Sequence, residues 1–306
     1  MLHAKLFKAT VVWTLGLLFL GSVVHATESS LACPDWPTCF GTMMPEMTGG
    51  VFWEHLHRLV AGGLVILFGV ATWFARRETR DRPWIFRACL AGLGLLVVQS
   101  VFGGLTVIYR LPDMISTSHL AMAFLFLSLA TVLAASTGRP PSPETQGFGR
   151  EAGPKLRSLA SIAAVLVFAQ SVLGALVRHT DAGMACPDVP LCLGQVVPPL
   201  VNLQITAHVL HRALAIIATV AVLGVAWWVR THEVPGRVRR WAYLAAFLVL
   251  VQVGLGVASV LTVLAVAPVA LHTLVAAALL STLVIVATLA ARVEVGADVQ
   301  RTHATV

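Results

Sequence analysis

The chain carries one pattern twice, so whatever fold serves one half must serve the other. Cys33-Pro-Asp-Trp-Pro-Thr-Cys39-Phe-Gly returns as Cys186-Pro-Asp-Val-Pro-Leu-Cys192-Leu-Gly. His57-Arg58 returns as His211-Arg212, Gln99-Ser-Val-Phe-Gly103 as Gln252-Val-Gly-Leu-Gly256, and His119 as His272. Each half keeps two cysteines and two histidines while the apolar residues between them have drifted. Histidines are costly to bury in apolar sequence, which favours an arrangement that gives all four a partner.

That apolar sequence sets the class. Hydrophobic residues make up 58% and charged residues 11%, against about 25% charged in a soluble domain. Eight runs, near 8–26, 50–75, 87–109, 114–137, 157–178, 203–229, 241–264 and 268–292, approach the ~20 residues needed to cross a bilayer. They read as helices, because a spanning segment must satisfy its own backbone and these runs lack the short alternation of a barrel strand. The fold class is therefore an all-α integral membrane protein of eight transmembrane helices. Leu-Gly21-Ser-Val-Val-His25-Ala-Thr27 matches Leu-Gly174-Ala-Leu-Val-Arg178-His-Thr180. The fifth run is internal, so the first reads as a retained helix rather than a cleaved signal peptide.

The net charge of +7 is a topology signal, not a nucleic-acid patch. Lys5 and Lys8, the Arg76–Arg87 group, Arg139 to Arg157, Arg230 to Arg240, Arg292 and Arg301 all fall on one side of the alternating runs. Arg110 and Arg178 lie in connections on the other. The positive-inside rule then puts both termini in the cytoplasm and the Cys loops outside, in a bacterial plasma membrane. Residues 1–137 form an N-terminal four-helix half and 157–292 a C-terminal one. Residues 138–156, rich in Pro, Gly and Ser, make a cytoplasmic linker, and 293–306 a short cytoplasmic tail. Each half has an even number of helices, so the two enter the membrane alike, as four-helix bundles related by a pseudo-twofold axis along the membrane normal.

Four of the five cysteines make two C-x5-C pairs on the oxidising face, where disulfides persist. Local disulfides, Cys33 with Cys39 and Cys186 with Cys192, are the first reading. A cycling redox pair and a metal site, which normally uses closer cysteine spacing, remain alternatives. Cys89 reads as a small core residue.

His57, His119, His211 and His272 each fall about two turns inside the outer end of an even-numbered helix. His57 can face His119 across one bundle, and His211 can face His272 across the other. Bundles build cofactor sites from facing side chains, and two imidazoles on opposite sides of a macrocycle are a common axial arrangement for haem iron. The plain alternative is hydrogen bonding between helices; zinc would want a third ligand. Glu54, three residues before His57, is the one acidic residue placed inside a span, which makes it a functional candidate. Its counterpart is His208, so the halves differ there: Glu-x-x-His against His-x-x-His. His55 and His208 read as hydrogen-bonding or propionate-contact residues as readily as ligands. Arg58 and Arg212 could pair with carboxylates or snorkel to headgroups. Gly103, Gly174 and Gly256, each one turn after a glutamine, allow close approach of a helix or a macrocycle.

Together these features resemble the haem A synthase family, over residues 10 to 292. The resemblance implies an enzyme that oxidises the C8 methyl of haem O to a formyl group, supplying haem A to terminal oxidases. It implies substrate haem O on His57 and His119, Glu54 as catalytic carboxylate, cofactor haem b on His211 and His272, and disulfides in the Cys loops. Propionate contacts would fall to Arg58, Arg212 and Arg178, although His25 stands where the family suggests arginine. Partners implied are membrane lipid, the farnesyltransferase that forms haem O, oxidase assembly factors and other copies of the chain. A di-haem b electron-transfer cytochrome is the main rival; it needs the four histidines but neither Glu54 nor an asymmetry between halves. A haem carrier would bind haem unchanged, and a thiol–quinone oxidoreductase would leave the histidines unexplained.

Overall fold

The computed structural model describes residues 2–78, 82–137 and 152–304. Eight helices follow in order: α1 (Leu2–Ala26), α2 (Gly49–Ala75), α3 (Pro83–Ile108), α4 (Asp113–Ser136), α5 (Ala152–His179), α6 (Leu203–Thr231), α7 (Gly236–Leu261) and α8 (Val266–Ala304). All eight are long and apolar enough to cross a membrane. The linker expected over 138–156 lies outside the described residues as far as 151, and from Ala152 the chain is already helical. α8 continues to Ala304, beyond the end expected at 292.

Local chemistry sets the helix ends. Pro83 opens α3 in the first turn, where its missing N–H is no loss. The Asn202 side chain accepts from Ile205 N at 2.8 Å and caps α6. α3 and α7 stop in the same way: Arg110 and Leu111, then Val263 and Leu264, take positive φ in succession. Leu111 N bonds back to Thr106 O at 2.7 Å and Leu264 N to Ser259 O at 2.8 Å. Non-glycine residues in that region cost roughly 1–2 kcal/mol each, so the recurrence of the turn in both halves marks it as part of the repeat. Within the spans, hydroxyls that would be stranded in hydrocarbon bond to the carbonyl one turn back, as Thr14 does to Thr10 and Thr131 to Leu127.

In each half, every helix packs on the next and the last returns to the first: α1–α2–α3–α4–α1 and α5–α6–α7–α8–α5. The halves join through α1 on α8, α4 on α5, and α4 on α8. Exchanging α1 with α5 and α4 with α8 leaves this pattern unchanged. Phe7, Phe68, Ile85, Cys89 and Phe126 fill the first half's core, which bears out the reading of Cys89. Leu156, Val222, Val225, Val238 and Leu283 fill the second, with Phe124 and Leu127 of α4 reaching into it. α8 is the most enclosed span, 56% buried against 11% for α7, as expected of a helix that touches both halves. Ser22–Thr273 (3.1 Å) and Arg292 Nη1 to Ala135 O (2.7 Å) add polar ties across the joint.

Candidate functional site

The α1–α2 and α5–α6 connections fold into the same small knot. Cys33 and Cys39 are joined at 2.05 Å, Cys186 and Cys192 at 2.00 Å, and a single backbone bridge closes each loop, Cys39 to Thr42 and Cys192 to Gln195. His55 brings its ring close to Cys33 and Cys39, but both sulfurs are bonded to each other, so the trio is no metal site in this state. Asp35 accepts from the Thr38 hydroxyl, Gly41 N and Phe40 N. Those donors, the hydroxyl foremost, hold its carboxyl below the ordinary carboxylate range. Closing so short a loop removes roughly 2 kcal/mol of chain entropy. Cys186→Ser is therefore expected to lower the thermal midpoint, with faster proteolysis at the α5–α6 loop as the local readout.

The motif arginines serve these knots. Arg58 Nη1 donates to Asp35 O (2.8 Å) and Thr38 O (2.6 Å), and Nη2 to Glu54 Oε1 (2.6 Å). Arg212 Nη1 donates to Asp188 O (2.8 Å) and Leu191 O (2.6 Å), and Nη2 to Cys186 O (2.6 Å). Each guanidinium is thus already committed to loop carbonyls. Glu54 is 5% exposed, and its second oxygen accepts from Cys33 N at 2.7 Å. His208, also buried, bonds through Nδ1 to Ala182 O at 2.8 Å. His55 Nε2 meets Met43 O at 3.1 Å. The asymmetry in the sequence is thus one of bonding too. The first loop hangs on a carboxylate–guanidinium pair, the second on a guanidinium and an imidazole.

Below each knot lie the four histidines, each against a glycine of the preceding helix. A Cβ on Gly21 would come within 3.1 Å of the His57 ring, and one on Gly103 within 3.1 Å of His119. Gly174 would meet His211 at 2.9 Å and Gly256 would meet His272 at 3.2 Å. These are close approaches that a side chain would disturb. Three of the rings are also held by a glutamine one helical turn before the glycine. Gln99 Nε2 reaches His119 Nε2 (3.4 Å) and Gln252 Nε2 reaches His272 Nε2 (3.2 Å). Gln170 Nε2 contacts His211 Nδ1 (3.0 Å) and donates to its carbonyl (2.9 Å). The spacing Gln-x-x-x-Gly was visible in the sequence; that the amide touches the histidine was not. His57 and His119 lie within electrostatic reach of each other, as do His211 and His272. His119 Nδ1 and His272 Nδ1 are buried without a hydrogen-bond partner. Two neighbouring imidazoles, each packed on a glycine, with one unpartnered ring nitrogen per half, form a donor set that fits a haem.

A cluster that sequence reasoning missed lies at the joint between halves. The His25 and His179 rings stack with centroids 5.2 Å apart and planes 12° apart. Thr117 Oγ1 meets His179 Nδ1 at 3.1 Å. Arg178 sits beside His25, within electrostatic reach of Glu28 and Asp181. No spacing rule links His25 to His179, since they belong to different halves and occupy non-equivalent repeat positions.

The COX15-CtaA family profile, described as cytochrome oxidase assembly protein, matches residues 4–284. A protein named Heme A synthase from Symbiobacterium thermophilum is 32% identical over 281 residues, 89% of this chain and 90% of the relative. Proteins of the same name from Halalkalibacterium halodurans (31% over 261 residues, 80% and 83%) and Shouchella clausii (29% over 270 residues, 85% and 88%) are similar throughout.

Proposed function

The chain belongs to the COX15-CtaA family, and we propose that it is a haem A synthase, an oxidoreductase acting on haem O in the membrane. The observation that carries the assignment of sites is the fourfold glycine–histidine contact, two per half, set beside Glu54, whose counterpart in the second half is His208. His57 and His119 would hold the substrate haem O, and His211 and His272 a haem b. Haem b, when bound, supplies an iron that exchanges single electrons. Glu54, at the rim of the first site, would take up a proton or stabilise positive charge while an external oxidant takes four electrons from the C8 methyl and an oxygen atom is added to give the formyl group. Arg58 and Arg212 would pin the Cys loops over the two sites, with any propionate contact shared with the loop carbonyls. Arg178, beside His25, would be the further candidate for a propionate contact. A cytochrome that only passes electrons has no use for the Glu54/His208 difference, which favours the enzyme. The basic connections favour both termini in the cytoplasm, and the Cys loops would then lie outside. The two halves would be related by a pseudo-twofold axis.

The test is expression in a bacterial host that makes haem O and no haem A. Membranes should gain haem A, read as its pyridine haemochrome; membranes holding the protein with haem O unchanged would contradict the assignment. The same sites predict an effect of shape alone. Gly174→Val puts a branched side chain where a Cβ already falls 2.9 Å from His211. It should strip haem from the C-terminal half, measured as haem per chain. Gly16→Ala, with nothing within 4 Å of its Cβ, should leave the ratio unchanged.

A further inference from the structure

The first Cys loop has a donor beside it that the second lacks. His55 follows Glu54, and the residue that follows His208 in the second half is Val209. Cys33, Cys39 and His55 are all buried, at 0%, 0% and 2% exposure. A ring nitrogen of His55 and the two sulfurs lie within 4.8 Å of one another, and no other such group of three occurs among the described residues.

The bonding of the ring sets which nitrogen is free. A carbonyl oxygen only accepts, so His55 donates from Nε2 to Met43 O at 3.1 Å, and the proton of the neutral ring sits on Nε2. Nδ1 then carries a lone pair, and it is buried without a hydrogen-bond partner. A histidine that donates through one nitrogen to a backbone carbonyl and offers the other is the usual arrangement of a metal ligand. While Cys33 and Cys39 are bonded to each other, their sulfurs are not free to share a metal with it.

We propose that reduction of the Cys33–Cys39 disulfide turns the first loop into a site for cuprous ion, held by two thiolates and His55 Nδ1. A dithiol supplies two electrons and two protons by thiol–disulfide exchange: its own sulfurs become a disulfide, and Cys33 and Cys39 become thiols. The metal then displaces the two thiol protons. Two thiolates and an imidazole select a soft ion. Three donors suit copper(I), whereas structural zinc takes four. The metal replaces the S–S bond as the crosslink, so the loop stays closed in both states. The second loop has only its two sulfurs to offer and is the internal control. This site is independent of the haem assignment.

The experiment uses the purified full chain, reduced anaerobically with a phosphine, with thiols counted by alkylation and mass. Cuprous ion is added in competition with bicinchoninate, and the copper retained per chain is measured. Reduced wild type should retain one copper, and the disulfide-bonded protein none. X-ray absorption at the copper edge should show sulfur together with imidazole nitrogen. Cys33→Ser should lose the metal and Cys186→Ser should keep it. His55→Gln, whose amide can still donate to Met43 O, should bind copper weaker by about tenfold or more, and His55→Val, which copies the second loop, should do the same. A Cys33–Cys39 bond that resists reduction in the folded protein, equal retention in wild type and His55→Gln, and absorption without nitrogen in wild type would each overturn the proposal. So would loss of copper in Cys186→Ser but not in Cys33→Ser, equal binding with the disulfide intact, or a preference for zinc.

Discussion

Replacing Glu54 with alanine should abolish haem A formation while leaving haem b in the protein. The carboxylate is buried and carries two bonds, from Cys33 N and from Arg58. Removing it leaves an N–H without its acceptor and a guanidinium, 14% exposed, that keeps only the loop carbonyls. Losing one member of a buried pair costs about 3–5 kcal/mol; the partial exposure of Arg58 puts this case at or below the lower end. Glu54→Ala therefore loosens the first Cys loop as well as removing a proton acceptor, and it cannot separate the two. Glu54→Gln separates them better, because the amide oxygen still accepts from Cys33 N and only the bond from Arg58 is lost. If the carboxylate's charge or proton serves the oxidation, Glu54→Gln melts between wild type and Glu54→Ala and loses about 10²–10⁴-fold in turnover. Full turnover in Glu54→Gln with loss only in Glu54→Ala would reduce Glu54 to a clamp for the loop.

The second large effect belongs to the other half. His272→Ala should empty the C-terminal site of haem b, a loss of more than about 100-fold in affinity, since even an outer-shell partner of a ligand is worth 10–100-fold. His272 is held by Gln252 on one nitrogen and keeps a buried, unpartnered Nδ1. His208 is turned to Ala182 O and is not expected to replace it. Absorbance per chain should fall by one haem, and the remaining pigment should be the one that His57→Ala removes. Retention of both haems in His272→Ala would exclude His272 as a ligand.

Much of this was legible because lipid is a strict solvent. The ends of the spans next to the Cys loops lay where apolarity stops: α2 begins at Gly49 and α6 at Leu203, against 50 and 203 expected. The opposite ends ran longer than the apolar runs. α3 starts at Pro83 rather than 87, and α5 at Ala152 rather than 157. Arginine and lysine at those ends leave the hydrocarbon without leaving the helix, so hydropathy marks the membrane edge and not the helix end. The four histidines and Glu54 stood out because polar groups are rare in such segments. The work of Arg58 and Arg212 did not, since their partners are backbone carbonyls more than 20 residues away or at that separation, and carbonyls carry no sequence signature. The glutamine contacts were half visible, as a spacing whose partner lies on another helix. The His25–His179 stack was invisible, because it crosses the halves at positions the repeat does not equate.

A haem A synthase built this way would hold one haem that it keeps and one farnesylated haem that it changes. The most direct test extracts the pigments of the purified protein, made in cells that supply haem O, and separates them by chromatography with mass detection. Haem b together with haem A, and haem O or a hydroxylated intermediate in place of haem A in Glu54→Gln, is the result predicted here. Haem b alone in both proteins would contradict the claim and leave an electron-transfer cytochrome.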